Sequence, residues 1–395
     1  MTKVTSKKIL LSEGRFKTNK WVKSGIFVLA MWLLSRLIIV VSMQLIAPIY
    51  PYPPTDFGKL PTPLDFVPGY LPKMGWELFS HWDGAWYEKV VTQGYDYGND
   101  GKWHSVAFFP IFPLLIRGVM YLGLPFEVAG VLVNNLAFLG ALLLVYRWVE
   151  EHHDINAARW ATAVLAWCPL SLYGTVIYTE GLFLLVSTAA LRSFEKGQYA
   201  WAAFWGAMTT ATRVTGAAIA PAFLLVAWRE KRPAVAYATA FATGVGLLAY
   251  MVYCGIRFGD PVAFVTVQRA WSTSPGGINW QGWLGLFTQM LTSRFEAVNS
   301  LTKLLMFFGG GYLLWYLRTK LSRVTVTYGF CALGLLLISG SVISLTRHVY
   351  GIVSISIALG LLLSRHPRWG YALMGLFGIF LIKSAIRFCW WLWVA

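Results

Sequence analysis

The sequence predicts an all-α, polytopic membrane protein. Apolar runs of about 20 residues, the length a helix needs to cross a bilayer, recur from one end of the chain to the other. Only 13% of its 395 residues are charged, against 57% hydrophobic, whereas a soluble domain carries roughly 25% charged residues. Basic residues gather at alternate connections between the runs, as topology signals do. An outer-membrane barrel is excluded, because its strands would alternate apolar and polar over about 10 residues each. The formal charge of +16 belongs with those loop clusters beside anionic lipid, and no nucleic-acid partner is expected. Cys168, Cys254, Cys331 and Cys389 are scattered through apolar segments, with neither metal-ligand nor disulfide spacing.

The amino end, with Lys3, Lys7, Lys8, Arg15, Lys17, Lys20 and Lys23, is expected on the cytoplasmic side. It is not read as a cleavable signal peptide, because the first apolar run, about 24–47, is long enough to span. Pro48 opens a first outer loop, 48–125. Its early part carries Pro51, Pro53, Pro54, Pro61, Pro63, Pro68 and Pro72 and so cannot be regular helix. As far as Trp103 the loop holds seven acids against four lysines. Ser105–Leu124 could be an interfacial helix or a true span, and reads better as interfacial, since Pro110 and Pro113 interrupt it and Arg117 lies near its centre. Further spans are expected at about 126–147, 158–177, 180–193, 199–212, 214–228, 234–254, 298–317, 324–345, 349–363 and 370–392. Arg147 and Arg159, Arg192 and Lys196, Arg229/Lys231/Arg232, Arg318/Lys320/Arg323, and Arg365 and Arg368 mark the inner turns. A second outer loop, 255–299, should hold a short helix near Trp280–Leu291. The expected result is one domain, 1–395, with about eleven spans and an outside carboxyl end.

The chemistry is expected around His81-Trp82-Asp83-Gly84-Ala85-Trp86-Tyr87. A carboxylate flanked by Trp82, Trp86 and Tyr87 suits a sugar, since ring faces stack on sugar C–H groups and carboxylates accept hydroxyl protons. A plainer account is also open. Ser80 with Asp83 three residues on is a capping box that starts a helix, and Trp and Tyr mark membrane interfaces without any chemistry. If that helix runs on to Gly94, Asp83 shares a face with Trp86 and Tyr87. Phe108–Pro113 reads as an aromatic anchor. His81 and His104 read as polar surface residues, too far apart to make a metal site.

Tyr178-Thr179-Glu180 puts a carboxylate at an outer turn before an apolar run. It should face protein or water, or simply begin a helix, where an acid complements the dipole. Arg213, and later Arg347 with His348, fall on the same expected side. Charges among apolar helices mark substrate paths, and a guanidinium fork suits phosphate; snorkelling to headgroups is the alternative for Arg213.

Taken in order, these pieces resemble the GPI-mannosyltransferase II (PIG-V-like) family in its prokaryotic branch. They are Trp82-Asp83 with Trp86-Tyr87 and Gly94-Tyr95; Ala107-Phe108-Phe109-Pro110 with Pro113; Tyr178-Thr179-Glu180 with Leu182-Phe183; Ala211-Thr212-Arg213 with Gly216; and Arg347. The resemblance runs from about Trp82 to Leu363 and departs in two places. Thr346-Arg347-His348 stands where Pro-Arg-Tyr is common, and Val214-Thr215 stands where Ser-Asn is common, which leaves the acceptor pocket open. The resemblance implies a GT-C-type fold with an essential acid in the first outer loop, here Asp83. It also implies a hexosyltransferase that moves mannose from polyprenyl-phosphate-mannose to a glycolipid or glycan, with inversion. The expected place is the outer face of a prokaryotic plasma membrane.

In that scheme Asp83 is the base, and Arg213 and Arg347 hold the donor phosphate. Trp82, Trp86, Tyr87, Tyr178, Glu180 and His348 contact substrate. No cofactor or metal ligand set is expected, and a divalent cation is left open. The partners are the lipid-linked donor, the acceptor and the bilayer. Two other classes stand beside this one. A flippase of lipid-linked sugar would show internal repeats and midplane polar residues, and neither is visible. A non-catalytic subunit of a transferase complex is the other.

Overall fold

The computed structural model describes residues 2–49, 72–271, 279–293, 297–340 and 342–394, the side chains of 2–21, Arg269 and Trp271 apart. Pro51, Pro53, Pro54, Pro61, Pro63 and Pro68 of the first loop lie outside these residues. Among the described residues the secondary structure is helical, with no strand. The amino-terminal half comprises α1 (Thr2–Val41), α2 (Asp83–Gln93), α3 (Ile111–Met120), α4 (Phe126–His152), α5 (Ile155–Trp167), α6 (Glu180–Glu195), α7 (Tyr199–Thr212) and α8 (Ile219–Arg229). Then follow α9 (Ala234–Ala242), α10 (Val245–Phe258), α11 (Ala263–Thr266), α12 (Gln268–Trp271), α13 (Trp280–Thr292), α14 (Ala297–Leu304) and α15 (Gly310–Tyr316). The last four are α16 (Arg323–Ser339), α17 (Leu345–Tyr350), α18 (Val353–Arg365) and α19 (Pro367–Cys389).

Helix stands at each of the eleven apolar runs, and α13 is the short helix expected in the second outer loop. Val22–Ile46, Phe126–His152, Ala234–Phe258 and Pro367–Cys389 are long and apolar enough to cross a membrane, and the chain is an integral membrane protein. The count of eleven is an expectation from sequence; length and hydropathy together support these four. The ten residues of α3 make about 15 Å, too short for a hydrocarbon core of about 30 Å. Its prolines do not interrupt it. Pro110 is the N-cap residue and Pro113 lies in the first turn, where a backbone N–H has no helical partner to lose.

Two local expectations are corrected. First, α5 stops at Trp167 instead of running to 177. Pro169 follows, and the chain continues as a 3₁₀ turn, Pro169–Gly174, and irregular backbone to Thr179. Residues Leu170–Thr179 are all buried, and buried irregular backbone needs partners within the protein. Polar residues on the neighbouring helices supply them. Arg36 donates to the carbonyls of Ser171 (2.9 Å) and Ala166 (3.3 Å). Asn134 donates to those of Tyr173 (2.7 Å) and Val176 (2.6 Å), and Asn135 to Thr175 (3.1 Å).

Second, Ser80 does not cap α2. It ends a separate 3₁₀ turn, Trp76–Ser80, and its buried Oγ has no partner among the described residues. Asp83 is the first residue of α2, and the N-cap position is Trp82, with no side-chain cap. The helix ends as expected at Gly94, whose φ of 87° is open to glycine at no steric cost.

The middle of the bundle is α6, buried nearly all round, as a helix without an amphipathic face must be. It packs on α4 and α7. Gly181 makes the α4 contact possible, because a Cβ there would stand 2.4 Å from Asn134 Oδ1 and 2.5 Å from its carbonyl oxygen. Small residues and buried amides are the usual means of close helix packing where lipid removes the hydrophobic drive between helices. That contact fixes Glu180, one residue earlier, at the buried tip of α6.

Candidate active site

Four charged side chains from four distant parts of the chain meet. Arg347 on α17 donates from Nη1 to Asp83 Oδ2 at 2.7 Å. Its Nε lies 3.0 Å from Glu180 Oε1, a charge contact without hydrogen-bond geometry. Arg213, in the C-cap position of α7, donates from Nη1 to the same Glu180 Oε1 at 2.8 Å. Its Nη2 lies 2.9 Å from His348 Nδ1. A guanidinium only donates, so Nδ1 accepts and the imidazole proton sits on Nε2. Two carboxylates and two guanidiniums balance in formal charge, as buried charges must to be tolerated.

Burial is graded across the cluster. The side chain of Glu180 is 0% exposed, Arg213 10%, Arg347 12% and Asp83 19%. The acid expected to be the base is therefore the more exposed of the two. Two polar atoms inside lack a hydrogen-bond partner among the described residues, Glu180 Oε2 and Arg347 Nε. Buried atoms of this kind call for an explanation, and a ligand is one. Rings enclose the guanidiniums: Arg347 lies over Tyr178 at 5.0 Å and Tyr173 at 5.6 Å, and Arg213 over Phe183 at 5.6 Å. Both distances to Arg347 suit a cation–π contact.

The structure thus brings together Asp83, Glu180, Arg213, Arg347 and His348. Tyr178 joins them, its hydroxyl accepting the Asp83 backbone N–H at 3.3 Å. The three aromatics beside Asp83 are placed differently. Trp82 is buried against Trp391 and Trp393. Tyr87 is buried edge-on against Phe108 (5.1 Å) and Phe112 (4.9 Å). Burial, then the neighbouring Asp83, pushes the Tyr87 phenol up, and its hydroxyl bonds Thr179. Half-buried Trp86 stacks on Phe108 at 5.8 Å, with Lys89 over its ring at 5.3 Å. These rings pack against other aromatic side chains, and α2 is braced by them.

His81 is no surface residue. It is 5% exposed, with Nδ1 3.0 Å from the Phe388 carbonyl. Burial pushes it down to about 4 despite that bond, so it is neutral and Nδ1–H donates. His104 is mostly shielded too, held between Asp96 and Asp100. Sequence reasoning did not find Arg36, Asn134 or Asn135, which hold the backbone of 171–176 that leads to Tyr178 and Glu180. A charge in the middle of the first span was the available signal for Arg36. A cavity of about 470 Å³ opens beside Arg36, Gln44, Trp76, Asn135 and Thr175; none of the four cluster charges lines it.

Residues 26–228, just over half of the chain, match the family model described as mannosyltransferase (PIG-V). The chain belongs to that family. The mannosyltransferase (PIG-V) match takes in Asp83, Glu180 and Arg213 and ends before Arg347. No curated protein sequence matches the chain. Among solved structures it is similar to ArnT from Cupriavidus metallidurans bound to undecaprenyl phosphate. The TM-score is 0.53 and the identity 14%, over 88% of this chain and 62% of ArnT. The apo form of ArnT gives a TM-score of 0.52 at 15% identity, over 91% and 63%. The chain thus spans a little over three fifths of the length of these relatives, and the likeness is one of fold, the GT-C type.

Proposed function

We propose that this protein transfers mannose from a polyprenyl-phosphate-linked donor to a glycan or glycolipid hydroxyl at the non-cytoplasmic face, with inversion. The reading rests on one observation: Asp83 is the most exposed member of a charge-balanced cluster and is held at 2.7 Å by Arg347. The family membership supports a mannosyl group, and the undecaprenyl phosphate bound to ArnT supports a lipid phosphate as its carrier.

The charges account for the chemistry. The donor is a phosphodiester with one negative charge, and the departing lipid phosphate gains a second as the glycosidic C–O bond breaks. In the same displacement Asp83 takes the acceptor's proton and loses its own charge, the general-base role of a carboxylate in inverting sugar transfer. Net charge at the site is unchanged. Arg347 is then relieved of Asp83 as a partner at the moment the phosphate needs one. With Arg213 it stabilises the leaving group by electrostatics already in place, and its planar fork suits the phosphate oxygens. Glu180 keeps both guanidiniums aimed through Oε1, and its unpartnered Oε2 is free to accept a sugar hydroxyl.

The test is reconstitution. The purified chain in lipid nanodiscs, given a polyprenyl-phosphate-mannose with labelled sugar and a membrane glycolipid extract, should release polyprenyl phosphate and label an acceptor. Mass spectrometry of glycolipids from cells with and without the protein should show a matching hexose difference. An intact donor together with unchanged glycolipids would overturn the reading.

A further inference from the structure

The residue before Asp83 is strained. Trp82 has φ 57° and ψ −115°, a region that non-glycine residues rarely occupy and that persists only where the surroundings over-determine it. The surroundings here are the carboxyl-terminal segment. Trp393 meets the Trp82 ring edge-on at 5.3 Å, and Trp391 meets it at 5.7 Å. Trp391 itself has φ 55° and stacks on His81 at 4.1 Å. His81 Nδ1–H is tied to the Phe388 carbonyl at 3.0 Å. Arg387 in turn fastens the segment: its Nη2 donates to the Trp393 carbonyl at 3.1 Å, and its carbonyl accepts the Leu392 N–H at 3.0 Å. The end of α19 and the residues after it therefore close over 81–82. None of them lies within residues 26–228.

We infer that the carboxyl-terminal segment 390–393 is a positioning clamp that holds Trp82 in its strained positive-φ conformation and thereby aims Asp83 at Arg347. The inference rests on the reading of Asp83 as the base. The physical link is short. The backbone angles of Trp82 set the direction in which α2 starts, and Asp83 is its first residue. If Trp82 relaxes to a negative φ, the first turn of α2 swings and the 2.7 Å contact between Asp83 and Arg347 cannot be kept. Displacements of about 1 Å at a reacting group cost on the order of 100-fold in rate. The tryptophans touch no reacting atom, so they act through Asp83.

The test uses Trp393→Ala and Trp393→Phe in the full chain, with two readouts. In the transfer assay, Trp393→Ala should lower kcat roughly 10- to 100-fold with the donor KM within about threefold, because ground-state donor contacts are intact. Trp393→Phe should recover most of the loss, since it restores an edge contact. Hydrogen exchange, which needs no activity, should rise in the peptide covering 81–90 of Trp393→Ala while α4 stays as protected as in wild type. Unchanged kcat per folded molecule with unchanged exchange at 81–90 would overturn the clamp. So would exchange that rises throughout the chain, which makes the segment a general stabiliser. If wild type shows no transfer at all, the exchange result decides alone: a local rise sustains the clamp and only the mannosyl-transfer reading falls.

Discussion

Two clusters in this protein pair acids with bases in opposite surroundings. The central one joins Asp83, Glu180, Arg213 and Arg347. The other lies at the end of α2 and in the loop before α3, where His104 sits 2.9 Å from Asp96 and 2.8 Å from Asp100, and Lys89 3.2 Å from Asp96. The loop cluster is assembled from one short stretch of chain, and its acids are 38% and 44% exposed. The central cluster needs four separate elements to meet, and its acids are 0% and 19% exposed. Exposed ion pairs contribute little, because water already serves each partner. Buried ones are costly to assemble and costlier to break, because a lone charge is left behind. A cluster of the second kind is weak evidence for stability and better evidence for a site.

The sharpest way to break this contrast is at Glu180, on which both guanidiniums lean. Glu180→Gln leaves two buried positive charges facing one carboxylate and should destabilise the protein by about 3–5 kcal/mol, read by denaturant unfolding in detergent. A loss comparable to that of a surface pair would mean the cluster is wetter than its burial indicates. Arg213→Lys comes next. It keeps the charge and loses the fork, so donor use should weaken by about 1–3 kcal/mol in kcat/KM. Wild-type donor kinetics in that variant would reduce Arg213 to a brace for Glu180.

The loop cluster should give the smallest effect, with a definite sign. Both ring nitrogens of His104 face carboxylates, an arrangement that favours the imidazolium. Burial pulls its pKa down, and the bonds to Asp100 and Asp96 outweigh that and hold it above the ordinary value. The same loop holds Asp96 low: its burial works the other way, and bonds from Ser105 and His104 prevail. A raised histidine contributes fully below its unfolded value of about 6.5 and loses the contribution as pH rises through the folded value. Wild type should therefore lose about 2 °C or less of Tm relative to His104→Asn as pH rises above 6.5. No loss on that rise would mean the ring is not held as the imidazolium in the fold.

The contrast also marks what could be read in the sequence. Apolar runs and basic clusters were enough for an all-helical membrane fold, because both follow from the bilayer alone. Asp83, Glu180, Arg213 and Arg347 each stood out, because a charge beside an apolar run needs a reason. Their pairing was not legible. Arg347 lies 264 positions from Asp83, and no local rule links them. The aromatic neighbours misdirected for the same reason. Trp82 and Tyr87 read locally as a sugar platform, yet their rings are covered by Trp393 and by Phe108 and Phe112, residues brought in by other elements. The end of α5 was missed although Pro169 announced it, because the apolar run continues through Val176 and Ile177. Composition cannot tell a helix from irregular backbone whose carbonyls are bonded by Arg36 and Asn134.

The central claim is that the cluster exists for Asp83 to take a proton. Asp83→Asn keeps the size of the side chain and an oxygen for Arg347, and it cannot act as a base. Transfer of labelled mannose from a polyprenyl-phosphate donor, normalised to folded protein by size exclusion, should fall by about 10²–10⁴-fold, with donor binding close to wild type. Full specific activity in the Asn variant would contradict the account and leave Glu180 as the acid to test.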